Sequence, residues 1–353
     1  MSETIKVREG EELDLAAVEK RLREEIEGLP DGKLEARQFP SGASNLTYFL
    51  RIDEWEGVLR RPPLGPVPPK AHDMERESKI LSSLNPVYPL APKPYFFEGN
   101  EEVIGAPFYV MERRKGAVID DSFPEGVEPG EELCRGISEM VVDTLVELHA
   151  VDVEEAGLSD LGRPEGFLER QTHGWISRYE KAKTEEIPEA EPLIEWIGRD
   201  IPDSPSPTII HNDFKLNNLL LNPDDLTEVR AVLDWEMTTV GDPLFDLAVS
   251  LSYWVEPGDP RELQEVLPTV VSTSPHFFTR KEFIDRYAQK SGRDLSDIEW
   301  HMVFGYFKLA VILQQIYARW HKGQTKDDRF ANFDERVKNL MIHARDLSRK
   351  GGV

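Results

Sequence analysis

An eight-residue polar stretch, HNDFKLNN at 211–218, lies between two short apolar runs, PTII before it and LLL after it. Short apolar runs bounded by turn residues are typical of buried strands, so the pattern predicts a strand, a loop and a second strand. The residues that follow predict a β-hairpin whose turn is PDDLTE at 223–228. Because a hairpin brings its ends together, Asn218 and Asp234 are expected to reach one point.

The side chains of this stretch match the needs of phosphoryl transfer. Asp213 stands at the apex of the loop, where its carboxylate can accept the proton of an incoming hydroxyl. Lys215 supplies a compact positive charge for a phosphate, and Asn218 and Asp234 supply the hard oxygen ligands that Mg²⁺ prefers. The alternatives are structural: a solvated Lys215, a turn or capping role for Asp234, and a His211 that only hydrogen-bonds the loop.

The first third of the chain alternates between apolar and polar residues, which is the period of β-strands. The turn-forming segments PSGAS and DEWEG interrupt the alternation, and an Asn-Pro pair ends a helical segment. Strands are predicted near 33–39, 46–52, 57–61, 94–98 and 106–112, and helices over 12–28 and 71–84. This part is therefore predicted to form a five-stranded antiparallel sheet with a packed helix and an additional N-terminal helix.

Helical periodicity dominates from residue 131 onward. The apolar residues of ELCRGISEMVVDTLVELH recur on one face, and residues 302–317 are apolar nearly all round, as in a buried helix. Further helices are predicted at about 166–183, 189–199, 243–254, 280–291, 295–321 and 331–349. The predicted fold class is α+β, with an N-terminal lobe over residues 1–112 and a larger, mainly helical C-terminal lobe over residues 113–353.

The run HNDFKLNN…VLDWEMTTVGDPLFDLA resembles the aminoglycoside-phosphotransferase family of the protein-kinase-like superfamily. In that family H-G-D-x-x-x-x-N replaces H-R-D and I/L-D-W/F-E replaces D-F-G. Asn212 stands where the family usually has glycine, and Asp246 stands where an aspartate braces the catalytic loop. The phrases VLRRPP, VMERRKG and IYARW are most similar to the branch related to the kinase-like domain fused to some acyl-CoA dehydrogenases.

This resemblance implies a bilobal protein-kinase-like fold that uses ATP and Mg²⁺, with an N-terminal lobe that grips ATP. It places a phosphate-covering loop in PSGASNLTY, with Ser41, Gly42, Ser44 and Asn45 as cofactor-binding residues. It also places the adenine-binding hinge in FYVMERRKG, through backbone groups of Glu112 and its neighbours. The helical lobe would then carry the catalytic loop and the acceptor site.

Arg60 falls where the family has the lysine of its third strand. The period of two places Arg60 on the same face as Val58, and this register alone distinguishes it from Arg61. Glu77 lies on the buried stripe of the helix predicted at 71–84, and a glutamate that faces a core needs a cation. The resemblance implies that Arg60 and Glu77 form the ion pair between strand and helix that is typical of the family.

Composition restricts the partners. The formal net charge of −24 argues against a nucleic-acid partner, because phosphate backbones are bound through basic surfaces. Acidic residues are spread along the whole chain, so we interpret the charge as a solvated, salt-adapted surface rather than a pocket for a cationic substrate. No apolar run approaches the ~20 residues that span a bilayer, so no membrane partner is expected. A lone Cys134 is typical of a reducing compartment and predicts a cytoplasmic protein.

The sequence predicts an ATP-dependent small-molecule kinase that transfers the γ-phosphate of ATP to a hydroxyl group of a metabolite. The dehydrogenase-related branch implies a hydroxyacyl thioester as the acceptor. The alternatives are an aminoglycoside phosphotransferase, a catalytically silent pseudokinase that serves as a binding module, and a metal-dependent hydrolase with His211 and Asp213 as ligands. Retention of Asp213, Asn218 and Asp234 together disfavours the pseudokinase, because a scaffold does not need all three.

Overall fold

The computed structural model describes residues 3–40, 45–65, 72–204, 206–266, 269, 271, 274–325 and 327–350. The chain separates into two compact units. The first contains Met1–Gly116 together with Arg230–Glu236, and the second contains Ala117–Val229 together with Met237–Val353.

The first unit is built on a five-stranded antiparallel sheet in the order β1-β2-β3-β5-β4. Its strands are β1 (Glu35–Gln38), β2 (Leu46–Ile52), β3 (Trp55–Arg61), β4 (Pro94–Glu98) and β5 (Phe108–Glu112), and its helices are α1 (Leu15–Glu25) and α2 (Met74–Leu84). All five strands and both helices lie where the sequence predicts them. Each helix starts later than predicted, because Asp14 and Asp73 cap the first turns by accepting the backbone N–H groups of Ala17 and Arg76.

The two faces of this sheet have different surroundings. On one face, Val18 and Leu22 of α1 share a buried apolar core with alternate residues of the strands, such as Leu50 and Leu59. Because side chains alternate across a strand, the neighbouring residue Arg60 points to the opposite face. There it is paired in register with Tyr109 of β5, on the side of the sheet that carries the Glu77 carboxylate of α2.

The second unit is mainly helical. Its helices are α3 (Glu131–His149), α4 (Phe167–Ala182), α5 (Ala190–Arg199), α6 (Pro243–Ser252), α7 (Arg261–Gln264), α8 (Arg280–Ser291), α9 (Ile298–His321) and α10 (Phe333–Lys350). As predicted, α9 is buried along most of its length. Within the described part of the chain, no helix has the length and apolar character needed to cross a membrane.

Four short strands flank the polar stretch at 211–218. They are β6 (Thr208–Ile210), β7 (Leu219–Asn222), β8 (Asp225–Val232) and β9 (Thr239–Gly241), and they pair as β6 with β9 and β7 with β8. The predicted six-residue hairpin turn is wrong: β8 already begins at Asp225. The side chain of Leu226 is buried whereas that of Asp225 is exposed, so the alternation of a strand starts three residues after Asn222. The pairing of β9 with β6 was not predicted.

Candidate active site

The polar stretch after β6 is a loop held in place by one buried carboxylate of the second unit. Asp246, in the first turn of α6, accepts the backbone N–H of His211 at 2.7 Å and that of Asn212 at 2.6 Å. Asp246 also accepts a hydrogen bond from Nε2 of His149, at 3.1 Å. Burial alone would raise the pKa of Asp246, but the His149 and His211 contacts outweigh burial and hold that pKa below its usual range. Asp246 therefore stays ionised and braces the loop.

Asn212 departs from the usual backbone conformation of a residue with a side chain. Its φ is 66°, in the left-handed region that glycine adopts freely and that asparagine tolerates better than most residues. The side-chain amide of Asn212 also donates to the carbonyl oxygen of Met237 at 2.9 Å. The left-handed turn at Asn212 sets the direction in which the next side chain, Asp213, leaves the loop.

Three polar side chains surround the carboxylate of Asp213. The amide nitrogen of Asn218 donates to Asp213 Oδ2 at 3.1 Å, and Nζ of Lys215 lies 3.1 Å from Oδ1 and 3.0 Å from Oδ2. Burial and then the Asp213 carboxylate raise the pKa of Tyr253 far above its usual range, so that its hydroxyl stays protonated. The structure thus brings the predicted residues Asp213, Lys215 and Asn218 together in the second unit.

A second polar cluster lies in the first unit, around Arg60. One guanidinium nitrogen lies 2.6 Å from Glu77 Oε1, and the other lies 3.1 Å from Asp234 Oδ1. Burial would lower the pKa of Arg60, but the carboxylates of Glu77 and Asp234 raise that pKa well above the usual value, so Arg60 remains a cation. Arg61 instead donates to the carbonyl of Ile104 at 3.0 Å. Arg60 is therefore the residue that faces the acidic groups.

The Asp-Trp-Glu stretch is held in the first unit by further contacts. Asp234 has a left-handed φ of 66° and a side chain that is 33% exposed, so its carboxylate can reach solvent beside Arg60. The carboxylate of Glu236 accepts the amide of Asn45 at 2.8 Å, and its carbonyl accepts Arg76 at 3.0 Å. The other amide atom of Asn45 lies 2.9 Å from Nδ1 of His72. Ser41, Gly42 and Ser44 lie outside the described residues.

Glu112 closes the last strand of the sheet. Its backbone N–H donates to the carbonyl of Lys93 at 2.8 Å, and its carboxylate accepts the backbone N–H of Lys93 at 2.7 Å and Nε of Arg114 at 2.8 Å. These contacts fix the chain where strand β5 ends. A role for the neighbouring backbone groups in binding adenine stays a prediction.

A cavity of about 210 Å³ adjoins the loop at residues 211–218 within the second unit. Most of its walls are apolar side chains, contributed by Ile119, Val141, Phe214, Leu216, Trp254, Val266, Val271 and Phe283. Two cations, Lys215 and Arg336, and one carboxylate, Asp120, also line it. The buried hydroxyl of Ser250 lines this region and has no hydrogen-bond partner among the residues that the structure describes. The cavity therefore suits an apolar group with a polar or anionic end.

The family model described as a phosphotransferase enzyme family, APH, matches residues 35–268. The chain belongs to this family. The α+β class, with a five-stranded antiparallel sheet and a mainly helical larger part, is thereby confirmed as the kinase-like fold of these phosphotransferases.

Two groups of proteins are similar to this phosphotransferase. Acyl-CoA dehydrogenase family member 11 of Rattus norvegicus is 34% identical over 334 residues, which cover 92% of this chain and 42% of the relative. Acyl-CoA dehydrogenase family member 10 of Mus musculus is 32% identical over 340 residues, which cover 95% of this chain and 31% of the relative. The chain thus spans less than half the length of these relatives. Their similarity confirms the predicted resemblance to the dehydrogenase-related branch.

Solved structures share the fold of this phosphotransferase. A candidate aminoglycoside phosphotransferase from Ralstonia eutropha superimposes with a TM-score of 0.82 and 28% identity, covering 97% of this chain and 100% of that one. A thermostable mutant of aminoglycoside phosphotransferase APH(4)-Ia, in complex with AMP-PNP and hygromycin B, superimposes with a TM-score of 0.61 at 15% identity. The superposition covers 95% of this chain and 100% of that one. At such low identity, the second likeness shows the fold alone.

Each unit carries one oxygen donor of the type that Mg²⁺ prefers. In the first unit Asp234 offers a partly exposed carboxylate, and in the second unit Asn218 offers an amide oxygen, because its nitrogen donates to Asp213. Among the described residues there is no group of three or more His, Cys, Asp or Glu side chains that would hold a metal unaided. Mg²⁺ in phosphotransferases typically takes one or two carboxylates and completes its shell with water and substrate phosphates.

Sequence patterns missed several residues of both clusters in this phosphotransferase. In the second unit these are Tyr253, which contacts Asp213, and Lys308, which contacts the backbone of Asn212. In the first unit they are His72 and Glu236, which contact Asn45, and Arg76, which contacts Glu236. One signal was visible: a lysine at 308 interrupts an otherwise apolar helix, which demands a buried partner. Glu236 belongs to the Asp-Trp-Glu motif but was not predicted as a site residue, and Tyr253, His72 and Arg76 carry no distinguishing pattern.

We expect Glu77→Ala to destabilise the first unit by about 3–5 kcal/mol, because it leaves the Arg60 cation buried without its main partner. Glu77 is 1% exposed, so solvent cannot replace the lost carboxylate. Urea unfolding followed by tryptophan fluorescence measures the change. The control is Glu75→Ala on the same helix, which removes an exposed pair with Lys79 and should shift the midpoint little. Equal effects of the two variants would contradict the assigned importance of the buried pair.

Proposed function

We propose that this chain is an ATP- and Mg²⁺-dependent small-molecule kinase that phosphorylates a hydroxyl group of its acceptor. The observation that carries the proposal is the Asp213 carboxylate, which leaves a braced loop and is ringed by Asn218 and Lys215. A carboxylate fixed in this manner, on a loop that belongs to a phosphotransferase family, suits the general base of phosphoryl transfer. The AMP-PNP complex of a fold neighbour supports ATP as the donor.

In the proposed reaction, Asp213 accepts the proton of the acceptor hydroxyl while the hydroxyl oxygen forms a bond to the γ-phosphorus of ATP. The bond between that phosphorus and the bridging oxygen breaks, and ADP leaves with the electron pair. Lys215 offsets the negative charge of the phosphoryl group in transfer, and Arg60 and Asn45 bind the nucleotide. Asn218 and Asp234 would hold Mg²⁺, which supplies charge neutralisation at the phosphate oxygens.

The cavity beside the catalytic loop supports an acceptor with an apolar portion. Its apolar walls and its two cations, Lys215 and Arg336, disfavour a polycationic amine and favour a neutral or anionic molecule. The curated relatives are named as acyl-CoA dehydrogenase family members, which points to acyl compounds. We therefore propose a hydroxyacyl thioester as the acceptor class, in a cytoplasmic setting, with no nucleic-acid or membrane partner.

An aminoglycoside acceptor is the second candidate, since a fold neighbour is bound to hygromycin B. Several carboxylates would have to converge on the amino groups of such a substrate, whereas the cavity carries Asp120 as its sole carboxylate among the described lining residues. The net charge of −24 would attract cationic sugars to the surface without orienting them. Such attraction is screened beyond about 8 Å at physiological ionic strength.

Steady-state kinetics on hydroxyacyl thioesters and on kanamycin-type aminoglycosides, at low and at high salt, discriminate between the acceptors. We expect saturable, ATP-dependent phosphorylation of a hydroxyacyl thioester at both salt concentrations, and negligible turnover of the aminoglycosides. Any aminoglycoside binding should fade as salt rises, because it is driven by screened surface charge. Efficient, salt-resistant turnover of the aminoglycoside would overturn the proposed acceptor class.

A further inference from the structure

Lys308 is a buried lysine that the proposed reaction does not use. It lies near the middle of α9, among residues that are apolar or buried on most sides, and it is 4% exposed. Its ammonium lies 5.1 Å from the centre of the Phe245 ring and 5.7 Å from that of Trp175. Burying an ammonium is costly unless a specific contact compensates for the lost water, so the position calls for a reason.

The stripe of α9 that carries Lys308 faces α6 and the catalytic loop. His301, Gly305 and Lys308 follow each other at the spacing that keeps residues on one face of a helix. A Cβ atom at Gly305 would lie 2.9 Å from the carbonyl oxygen of Ala248 in α6, so the two helices approach at backbone distance. One end of the stripe places His301 Nε2 at 3.3 Å from Asp242 Oδ1, at the start of α6. At the other end Lys308 reaches the loop.

The ammonium of Lys308 donates to the carbonyl oxygen of Asn212 at 3.0 Å. The backbone N–H of Asn212 donates to Asp246 Oδ1 at 2.6 Å. Two buried groups therefore hold the left-handed turn at Asn212: the Lys308 ammonium contacts its carbonyl oxygen, and the Asp246 carboxylate accepts its N–H. The carbonyl belongs to the peptide bond between Asn212 and Asp213, so these two contacts fix the backbone from which the proposed base projects.

We propose that Lys308 is a positioning residue for phosphoryl transfer, which holds the Asn212 carbonyl and thereby fixes the left-handed turn that orients the Asp213 carboxylate. The proposal rests on the proposed role of Asp213. Asparagine tolerates the left-handed conformation less freely than glycine does, so contacts on both sides of Asn212 help to hold the turn. A misplacement of the base by about 1 Å is enough to cost ~10²-fold in rate.

Lys308→Met tests this role in the full chain, because methionine keeps much of the lysine stem and loses the ammonium. The activity is measured as hydrolysis of ATP in the presence of Mg²⁺, followed by the release of phosphate. Water is the acceptor in this assay, so no identified metabolite is needed. We expect kcat to fall by roughly 10²-fold while KM for ATP stays unchanged. Lys308→Arg should recover part of the rate, because it restores a buried N–H donor. Lys338→Met, an exposed lysine of α10, is the matched control and should change neither constant.

Hydrogen exchange of residues 211–218 provides a readout that requires no catalysis. In Lys308→Met we expect the backbone N–H of Asn212 to exchange roughly tenfold faster, with little change in Tm. A second substitution, Asn212→Gly, should reduce the loss of kcat in Lys308→Met, because glycine adopts the turn without strain. A role of Lys308 in packing alone would produce no such coupling.

The outcomes separate this proposal from the proposed function. Wild-type exchange and wild-type kcat in a folded Lys308→Met protein would overturn the positioning role. If Lys308→Met does not fold, Lys308→Gln, which keeps an uncharged N–H donor, takes its place under the same criteria. Faster exchange at Asn212 in a protein whose wild type neither binds nor consumes ATP would support the loop contact and overturn the kinase function. Loss of Tm without the coupling to Asn212→Gly would assign Lys308 to packing, and would also overturn the proposal.

Discussion

Asp213→Asn is expected to lower phosphoryl transfer by ~10²–10⁴-fold while leaving the fold intact, because asparagine keeps the shape of the side chain and loses its basicity. The Asp213 carboxylate is partly exposed and contacts polar neighbours, Asn218 and Lys215, rather than the apolar core. Little of the folding free energy should therefore depend on it. The measurement is kcat for ADP formation from ATP and Mg²⁺ with the acceptor present, together with the Tm of the variant.

The matched control is Asp224→Asn, the same chemical change at an exposed turn residue between β7 and β8. This control should keep the wild-type kcat and Tm. If Asp213→Asn turns over at the wild-type rate, the carboxylate is not the base and the proposed reaction has to be rebuilt on another residue. If instead kcat falls together with a large fall in Tm, the loss reflects unfolding and the Asp213 assignment fails this test.

Much of the fold could be predicted because its elements follow local periodicity. The five strands of the first unit and the long helices of the second are segments in which apolar residues recur at a period of two or near 3.6. Errors arose where local contacts compete with pattern. The helix ends moved to the capping residues Asp14 and Asp73, and strand β8 began inside the predicted turn at Asp225. Strand β9 is three residues long, too short for alternation to show.

The sites were predictable to the extent that their residues form a spaced motif. Asp213, Lys215 and Asn218 lie within six residues of sequence, and the structure brings their side chains together. Arg60 could be named only through strand register, and the contact with Glu77 gives that register a physical basis. Lys308 contacts Asn212 across 96 residues of sequence, and such a distance is fixed by the packing of α9 on α6 rather than by any local pattern.

The segment Arg230–Glu236 shows the same limit. Its first three residues form the end of strand β8, yet the segment belongs to the compact unit that contains the N-terminal sheet. The contacts responsible join residues far apart in the chain: Arg60 with Asp234, Asn45 with Glu236, and the backbone N–H of Val232 with the carbonyl of Leu90. Each is a polar contact of a type that composition and periodicity do not encode.

Asp234→Asn is expected to abolish the Mg²⁺-dependent part of ATP binding, and with it phosphoryl transfer. Asparagine is the suitable replacement because Asp234 has a φ of 66°, which asparagine tolerates and alanine does not. The substitution keeps the shape beside Arg60 and removes the anionic oxygen that a hard cation requires. Arg60 retains Glu77 at 2.6 Å, so the first unit should stay folded.

Thermal unfolding with ATP, in the presence and absence of Mg²⁺, measures the effect. For the wild type, ATP and Mg²⁺ at about a hundred times their Kd should add ~2.7 kcal/mol of stability, whereas ATP alone should add much less. Asp234→Asn should respond equally weakly with and without the metal. Asp31→Asn, an exposed aspartate of the same unit, is the control and should behave as the wild type. A full Mg²⁺-dependent shift in Asp234→Asn would remove this carboxylate from the metal site, and the absence of any nucleotide shift in the wild type would favour a silent binding module instead.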